Sequence, residues 1–318
     1  MTNYIIRRIL LLIPTFLILT ILVFMFIRLM PGNVIDLMVL QAPHEGTEQI
    51  DVSAVKHMLG LDQPVLNQYW SWLTHLFRGD LGNSLWTKRS VTADIVARFP
   101  ITFELGLFAL IIAQLVAFPV GILSAIRQDS MADYVARSFT VLFVAAPSFW
   151  LGTMVMVFPS IWWGWSPEIQ YISPTQDLGA NLVQFIVPAT IMGVGMAALE
   201  MRMLRTTILD VLRQDYIRTA WSKGLKEQAV IIRHALKNAS IPVVTIISGQ
   251  IPVLIGGAVI IENIFNLPGM GRLFVESTFR RDYPYVTGMN AFFCLTGLIL
   301  ILLCDLSYAW LDPRIRYK

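Results

Sequence analysis

Charge is scarce in this chain. Asp, Glu, Lys and Arg make up 14% of its 318 residues, against about a quarter in soluble domains. With 56% hydrophobic residues and a mean hydropathy of +0.64, this excludes an ordinary soluble domain and indicates a membrane protein. The net charge of +3 is too small to argue for nucleic acid. Cysteine is almost missing: Cys294 and Cys304 share one apolar segment, about 15 Å apart if helical, beyond disulfide reach. They read as small buried hydrophobes. No G-x-x-x-x-G-K-[ST] loop is present to cradle phosphate; Gly269–Arg272, GMGR, lacks the lysine and reads as an outer turn. There is no H-E-x-x-H and no Cys-x-x-Cys, and His44, His57, His75 and His234 are scattered, with His44-Glu45 reading as a solvated loop pair. GNSLW at Gly82 misses the last glycine of a nucleophile elbow. The expectation is a chain that is not an enzyme and binds no metal or cofactor, its energy coming from elsewhere.

What is abundant is apolar sequence in blocks of about 20 residues, the length of a bilayer-crossing helix. Six such blocks occur, at about 9–29, 103–126, 138–160, 183–201, 240–262 and 289–311. The expected fold is therefore an all-α integral membrane protein with six transmembrane helices. A large extracytoplasmic insertion lies between the first and second. The first block is too long for a signal h-region and has no A-x-A-like site after it, so it reads as a retained helix. Basic residues set the orientation. Arg7 and Arg8, Arg127 and Arg137, and Arg314, Arg316 and Lys318 flank spans on one side, and the 202–239 loop on that side holds eight more. Both termini are accordingly expected in the cytoplasm. Trp162, Trp163, Trp165, Tyr308 and Trp310 fall at interfacial positions, where amphipathic rings prefer to sit.

The chain divides on this reading into 1–29, the N-terminal segment and first helix; 30–102, an extracytoplasmic loop domain; and 103–318, a five-helix core with the cytoplasmic loop 202–239. The loop domain has helical periodicity of its own, at Val55, Met58 and Leu59, then Val65, Leu66, Tyr69, Trp70 and Leu73. Acidic residues inside spans are costly. Glu200, at the inner end of the fourth, is expected to reach the headgroups or to pair. Glu104 and Glu262 sit near outer ends.

The most polar long stretch is RTAWSKGLKEQAVIIRHALKN, Arg218–Asn238, with five basic residues and one acidic. Ile217, Ala220, Trp221, Leu225, Ile231, Ile232, Ala235 and Leu236 recur at helical spacing, and Gly224 interrupts them. Two short amphipathic helices joined near Gly224 would satisfy the pattern. Such a pair can lie on the anionic inner leaflet or enter a groove on a soluble partner. The residues alone leave both open.

The run LDVLRQDYIRTAWSKGLKEQAVIIRHALKNASIPVV resembles the cytoplasmic loop of permease subunits of ATP-binding-cassette importers, in their peptide/nickel branch. The wider superfamily carries Glu-Ala-Ala-x-x-x-Gly there. Arg218, Thr219, Ala220 and Gly224 stand at the matching positions, and Arg-Thr-Ala resembles the peptide branch. RGDLGNS, RFPITFEL, IENIFNLPGMGRLFVESTFRRDYPYV, DLSYAWLDPRIR and the N-terminal RRILLLIPTFLILTILVFMFIRLMPG are similar to the same branch, in order and over the full length. The chain is thus similar to a dipeptide/oligopeptide permease B-type subunit.

That resemblance implies a half-pathway for peptides, nickel or similar small solutes in a prokaryotic inner membrane. It implies a second homologous permease subunit, two cytosolic ATPase subunits that bind ATP and Mg, and an extracytoplasmic substrate-binding protein. It also decides between the two uses of the basic loop. The 213–237 segment would be the coupling helix that docks on an ATPase, with Asp215, Tyr216, Arg218, Ala220 and Gly224 carrying the contact. Small Ala220 and Gly224 would permit close approach. Asp305 would be a polar contact near the inner gate. The alternative is a self-contained secondary transporter or channel, which calls for acids at mid-depth and often for inverted repeats; no convincing repeat is seen.

Overall fold

The computed structural model describes residues 2–29, 62–165 and 171–311. Val55, Met58 and Leu59 of the outer loop lie outside the described residues. The described chain is helical, in the order α1 (Thr2–Leu29), α2 (Val65–Phe77), α3 (Val91–Ile126), α4 (Met131–Ala145), α5 (Ser148–Trp163), α6 (Leu178–Leu212), α7 (Asp215–Ser222), α8 (Glu227–Ile264), α9 (Met270–Phe279) and α10 (Tyr283–Leu311). A single antiparallel bridge, Asn83 to Ser90, interrupts it. Five of these helices are long and apolar enough to cross a membrane, and up to six spans result if the bent pair α4–α5 counts as one.

That pair is the main departure from the sequence reading. The expected third span, 138–160, is broken into two helices at 96°. Pro147 explains the break: it has no N–H to continue the ladder, and it pushes the preceding residue out of the helical region. Ala146 accordingly sits at φ −80°, ψ 120°. Pro159, by contrast, is accommodated within α5, which ends on left-handed Gly164. Trp162 and Trp163 are exposed at that end. A second departure concerns GMGR. Met270 and Gly271 open helix α9 rather than forming a plain turn; a side chain at Gly269 would collide with the carboxylate of Glu262, and one at Gly271 with the backbone of Val259.

Two compact units result. Among the described residues, the first comprises 101–165, 171–271 and 300–311, and the second 2–29, 62–100 and 272–299. In the second, α2 lies on α1. Tyr69 and Trp72 pack on Phe24, and the Tyr69 hydroxyl is 3.0 Å from Thr20 Oγ1. Two of the quoted sequence motifs meet in the same unit. Ser84 Oγ, from RGDLGNS, donates to Asp282 Oδ2 at 2.5 Å, and the Leu85 amide donates to Asp282 Oδ1 at 3.1 Å. Burial pushes the Asp282 carboxyl above its ordinary range, against the pull of those donors.

The first unit is organised around α6, whose long run of buried residues packs on α8, α4 and α3. Small residues make the crossing with α3 close: Ala113 and Ala117 on one helix meet Ala197 and Ala198 on the other. Where hydrocarbon replaces water, association rests on this kind of intimate van der Waals contact. At Gly193 the approach is closest, because an added Cβ would lie 2.6 Å from the Ala109 carbonyl oxygen. Gly195, two residues on, has nothing within 4 Å of that position. Gly193→Ala should therefore destabilise the fold by about 1–3 kcal/mol through forced separation of α3 and α6. Gly195→Ala should be neutral or slightly stabilising, since alanine is the better helix former by about 1 kcal/mol. Melting temperatures of the two variants in detergent check this; equal losses would refute the close-contact account.

Candidate functional site

The basic loop begins where α6 ends. Gln214 leaves the helical region at φ −76°, ψ 148° and starts α7, with Asp215 in its first turn, where a negative charge favours the helix dipole. One face of α7 is fixed. Ile217 and Ala220 are buried against Val230 and Ala235 of α8, with Val211 and Leu212 of α6 alongside. Asn238 Nδ2 donates to the Tyr216 hydroxyl at 2.8 Å, tying the loop to α8 a second time.

Gly224 terminates α7. The Gly224 amide donates to the Trp221 carbonyl at 2.9 Å and the Leu225 amide to the Ala220 carbonyl at 3.4 Å. This is the paired 5→2 and 6→1 pattern of a Schellman stop, which needs a left-handed residue after the cap. Gly224 supplies it at φ +74°. After Gly224 the chain does not form a second short helix, as the spacing had suggested. Instead α8 starts at Glu227 and runs on through the whole next apolar segment to Ile264, with one π-helical turn at Val230–Ala235.

The five residues assigned to docking therefore have different surroundings. Asp215, Tyr216 and Arg218 are exposed, and Arg218 Nη1 lies 3.7 Å from Asp215 Oδ1. Ala220 faces inward, so its small size serves the packing of α7 on α8. Gly224 is exposed with open space where a side chain would begin; its requirement is the left-handed turn, not close approach. The outward surface also carries residues outside those five. Trp221 is 43% exposed, as is Tyr216, and Leu225 and Ile232 are exposed as well. Around these lie exposed Arg213, Lys223, Lys226, Arg233 and Lys237. Exposed aromatics with arginine are the composition of interface anchors. The helical spacing had pointed to Trp221, but only burial distinguishes it from Ile217.

Asp305 is in α10, but its side chain lies outside the described residues. Glu200 does not reach the headgroups or pair with Arg202. It is fully buried, and Gln114 Nε2 donates to its Oε2 at 2.8 Å. Glu262 is equally buried and accepts from Thr102 Oγ1 at 2.6 Å, while the Met270 amide donates to that hydroxyl at 2.9 Å. Glu104 Oε2 accepts from the Tyr171 hydroxyl at 3.1 Å; burial, with Glu104 beside it, pushes the Tyr171 pKa up to about 12. One strong pair escaped the sequence reading. Arg205 grips Asp133 with two bonds, at 2.8 and 2.7 Å, and Ser124 Oγ donates to the same carboxylate at 2.5 Å. Its members are 72 positions apart, and no local pattern connects them. Among the described residues no cluster of His, Cys, Asp and Glu is arranged to hold a metal.

Residues 117–317 match the family described as the binding-protein-dependent transport system inner membrane component, and residues 1–106 match its N-terminal companion. The chain belongs to that family. It is the permease subunit of an ATP-binding-cassette importer. It is 39% identical over 319 residues to the glutathione transport system permease protein GsiC of Pectobacterium atrosepticum, covering 100% of both chains. The GsiC proteins of Salmonella typhimurium and Escherichia coli K12 are 38% and 36% identical, again over 100% of both chains. Two solved structures share the fold. An inward-facing MetNI methionine ABC transporter matches with a TM-score of 0.56 at 13% identity, over 69% of this permease and 96% of that chain. An amino acid ABC transporter matches with a TM-score of 0.54 at 14% identity, over 69% and 94%. The family assignment sets aside the self-contained secondary transporter. In this family the ATPase activity lies in partner subunits.

The Schellman stop yields a direct test. A left-handed non-glycine residue costs roughly 1–2 kcal/mol, so Gly224→Ala should speed hydrogen exchange at the Gly224 and Leu225 amide positions by about fivefold to thirtyfold. Gly224→Asn, which tolerates that conformation better, should give a clearly smaller effect. Indistinguishable Ala and Asn variants would show that the turn does not depend on its handedness.

Proposed function

We propose that this permease forms half of the translocation path of an importer for peptides or peptide-like solutes, and that the 213–237 segment couples it to a cytosolic ATPase. The observation that carries the coupling role is the two-faced character of α7. Ile217 and Ala220 lock one side to α6 and α8, and Tyr216, Arg218 and Trp221 are left outward on a basic surface. A docking helix needs both properties: a rigid connection to the transmembrane helices, and exposed anchors for a partner groove. Because α8 continues unbroken from the loop into the apolar segment, a push on α7 reaches that helix directly.

In the full assembly a second homologous permease would complete the path, with two ATPase subunits carrying ATP and Mg below and a substrate-binding protein above. The chain would sit in a bacterial inner membrane with both termini cytoplasmic. α4 and α5 together would supply the sixth span, and 30–102 would form the extracytoplasmic insertion. Asp305 would lie near the inner gate. Glutathione, named for relatives that align end to end with this permease, supports a small peptide as cargo. Transport would proceed by alternating access, driven by different affinities of nucleotide and cargo for the two states.

The test is co-purification of the permease with its co-expressed subunits, comparing wild type, Trp221→Ala and Arg218→Glu. Each variant is expected to lose at least 2 kcal/mol of docking free energy, about thirtyfold in affinity. Retained ATPase and binding-protein-stimulated ATP hydrolysis should fall together while the melting temperature of the permease is kept. Full retention of both in the two variants would remove α7 from the ATPase interface.

A further inference from the structure

A cavity of about 460 Å³ opens between the ends of α3, α4 and α6. Its lining is mixed. Val120, Val141 and Val144 are apolar, and Arg137, Arg202 and Arg205 bring three guanidinium groups to the same opening. Against these three cations stand Asp133 and, acting on Arg205, Asp129; the Asp133 carboxylate is already bound twice by Arg205, once by Ser124 and once by the Asp129 amide. Arg137 Nε is 4.0 Å from Asp133 Oδ1, and its guanidinium lies over the Tyr134 ring at 4.7 Å. Arg202 makes no ion pair among the described residues. Positive charge in excess of its counter-charge thus lines a pocket that is otherwise largely apolar. Outside the lining the apolar surface continues along α4, where Val135 and Leu142 are exposed.

We infer that this pocket is a binding site for an anionic phospholipid. Its phosphate would sit between Arg137 and Arg202, and its acyl chains would run along the exposed valine and leucine strip of α4. The position agrees with the orientation proposed above, on which the inference partly rests: α3 and α6 end, and α4 begins, on the side expected to face the cytoplasm, at headgroup depth. Basic pockets between membrane helices on that side favour anionic headgroups. Arg205 is a positioning residue in this site. Held by Asp133, it fixes the α4–α6 wall and keeps the two other arginines at the same opening.

The site also gives the unusual α4–α5 break a consequence. Among the described residues nothing covers the exposed face of α4 that precedes the bend at Pro147, and a lipid chain would cover it.

The experiment is native mass spectrometry of the detergent-purified full-length permease, co-expressed with its partner subunits, after adding phosphatidylglycerol or zwitterionic phosphatidylcholine. Wild type should retain phosphatidylglycerol preferentially. Each juxtamembrane arginine is worth about fivefold, so Arg137→Gln combined with Arg202→Gln should reduce that retention by about twenty-fivefold. Val141→Trp, on an exposed helix face, should reduce it comparably by filling the pocket, and it keeps the test decisive where the arginine variants fold poorly. Arg78→Gln with Arg280→Gln, exposed basic loop residues outside both the pocket and the docking segment, should leave it unchanged. Equal retention of the two lipids would overturn the site. So would a loss in the loop variants as large as in the pocket variants. Cross-linking of Val141→Cys to the second permease would also overturn it, by placing protein where the lipid should be.

Discussion

The contact on which the first unit depends is the one between the backbones of α3 and α6. At Gly193 the two helices are so close that a single methyl group would meet a carbonyl oxygen. This is a packing solution suited to lipid, where apolar side chains gain little from meeting each other instead of acyl chains. Alanines at 113, 117, 197 and 198 extend the close approach for several turns. With α3 held there, α6 becomes the post against which α8 and α4 pack, and its end determines where the basic loop begins.

The same closeness governs how buried polar groups are handled. Glu200, Glu262 and Asp133 are each inaccessible to solvent, and each is met by a donor from another helix or helix start: Gln114, Thr102 and Arg205. An unpaired charge at such positions would carry a large penalty. These partners therefore act as registers between helices: a sliding movement of one helix by a turn would strand its acid. Asp133 and Arg205 are the clearest case, since the pairing is bidentate and a third donor satisfies the carboxylate.

Much of this was legible in the chain. Long apolar blocks separated by loops of uneven basic content gave the helical membrane class, and the motif around Arg218 and Gly224 gave the loop its role. What escaped has physical causes. The bend at Pro147 was missed because proline is common within membrane helices; Pro14, Pro159 and Pro188 all sit inside theirs. Whether a proline kinks or breaks a span is decided by neighbours the sequence does not name. Small size suggests close approach for Ala220 and Gly224, and the spacing adds only that Gly224 interrupts a helix. Their uses, inward packing and a left-handed stop, depend on which way α7 is rolled and how it ends. The Asp133–Arg205 pair is a long-range contact, and nothing local to either residue announces it.

The π-helical turn at Val230–Ala235 lies between the docking loop and the apolar body of α8. Such a turn carries one residue more than the α-helix around it, which amounts to a phase step of about 100° in side-chain direction. α7 packs on the π turn itself, at Val230 and Ala235, and is bonded by Asn238 just beyond it, whereas Ala239 and Val243 face the transmembrane bundle. A helix with one unbroken phase would have to satisfy both with a single stripe. Here the extra residue lets one continuous helix present one face to α7 and another to the bundle.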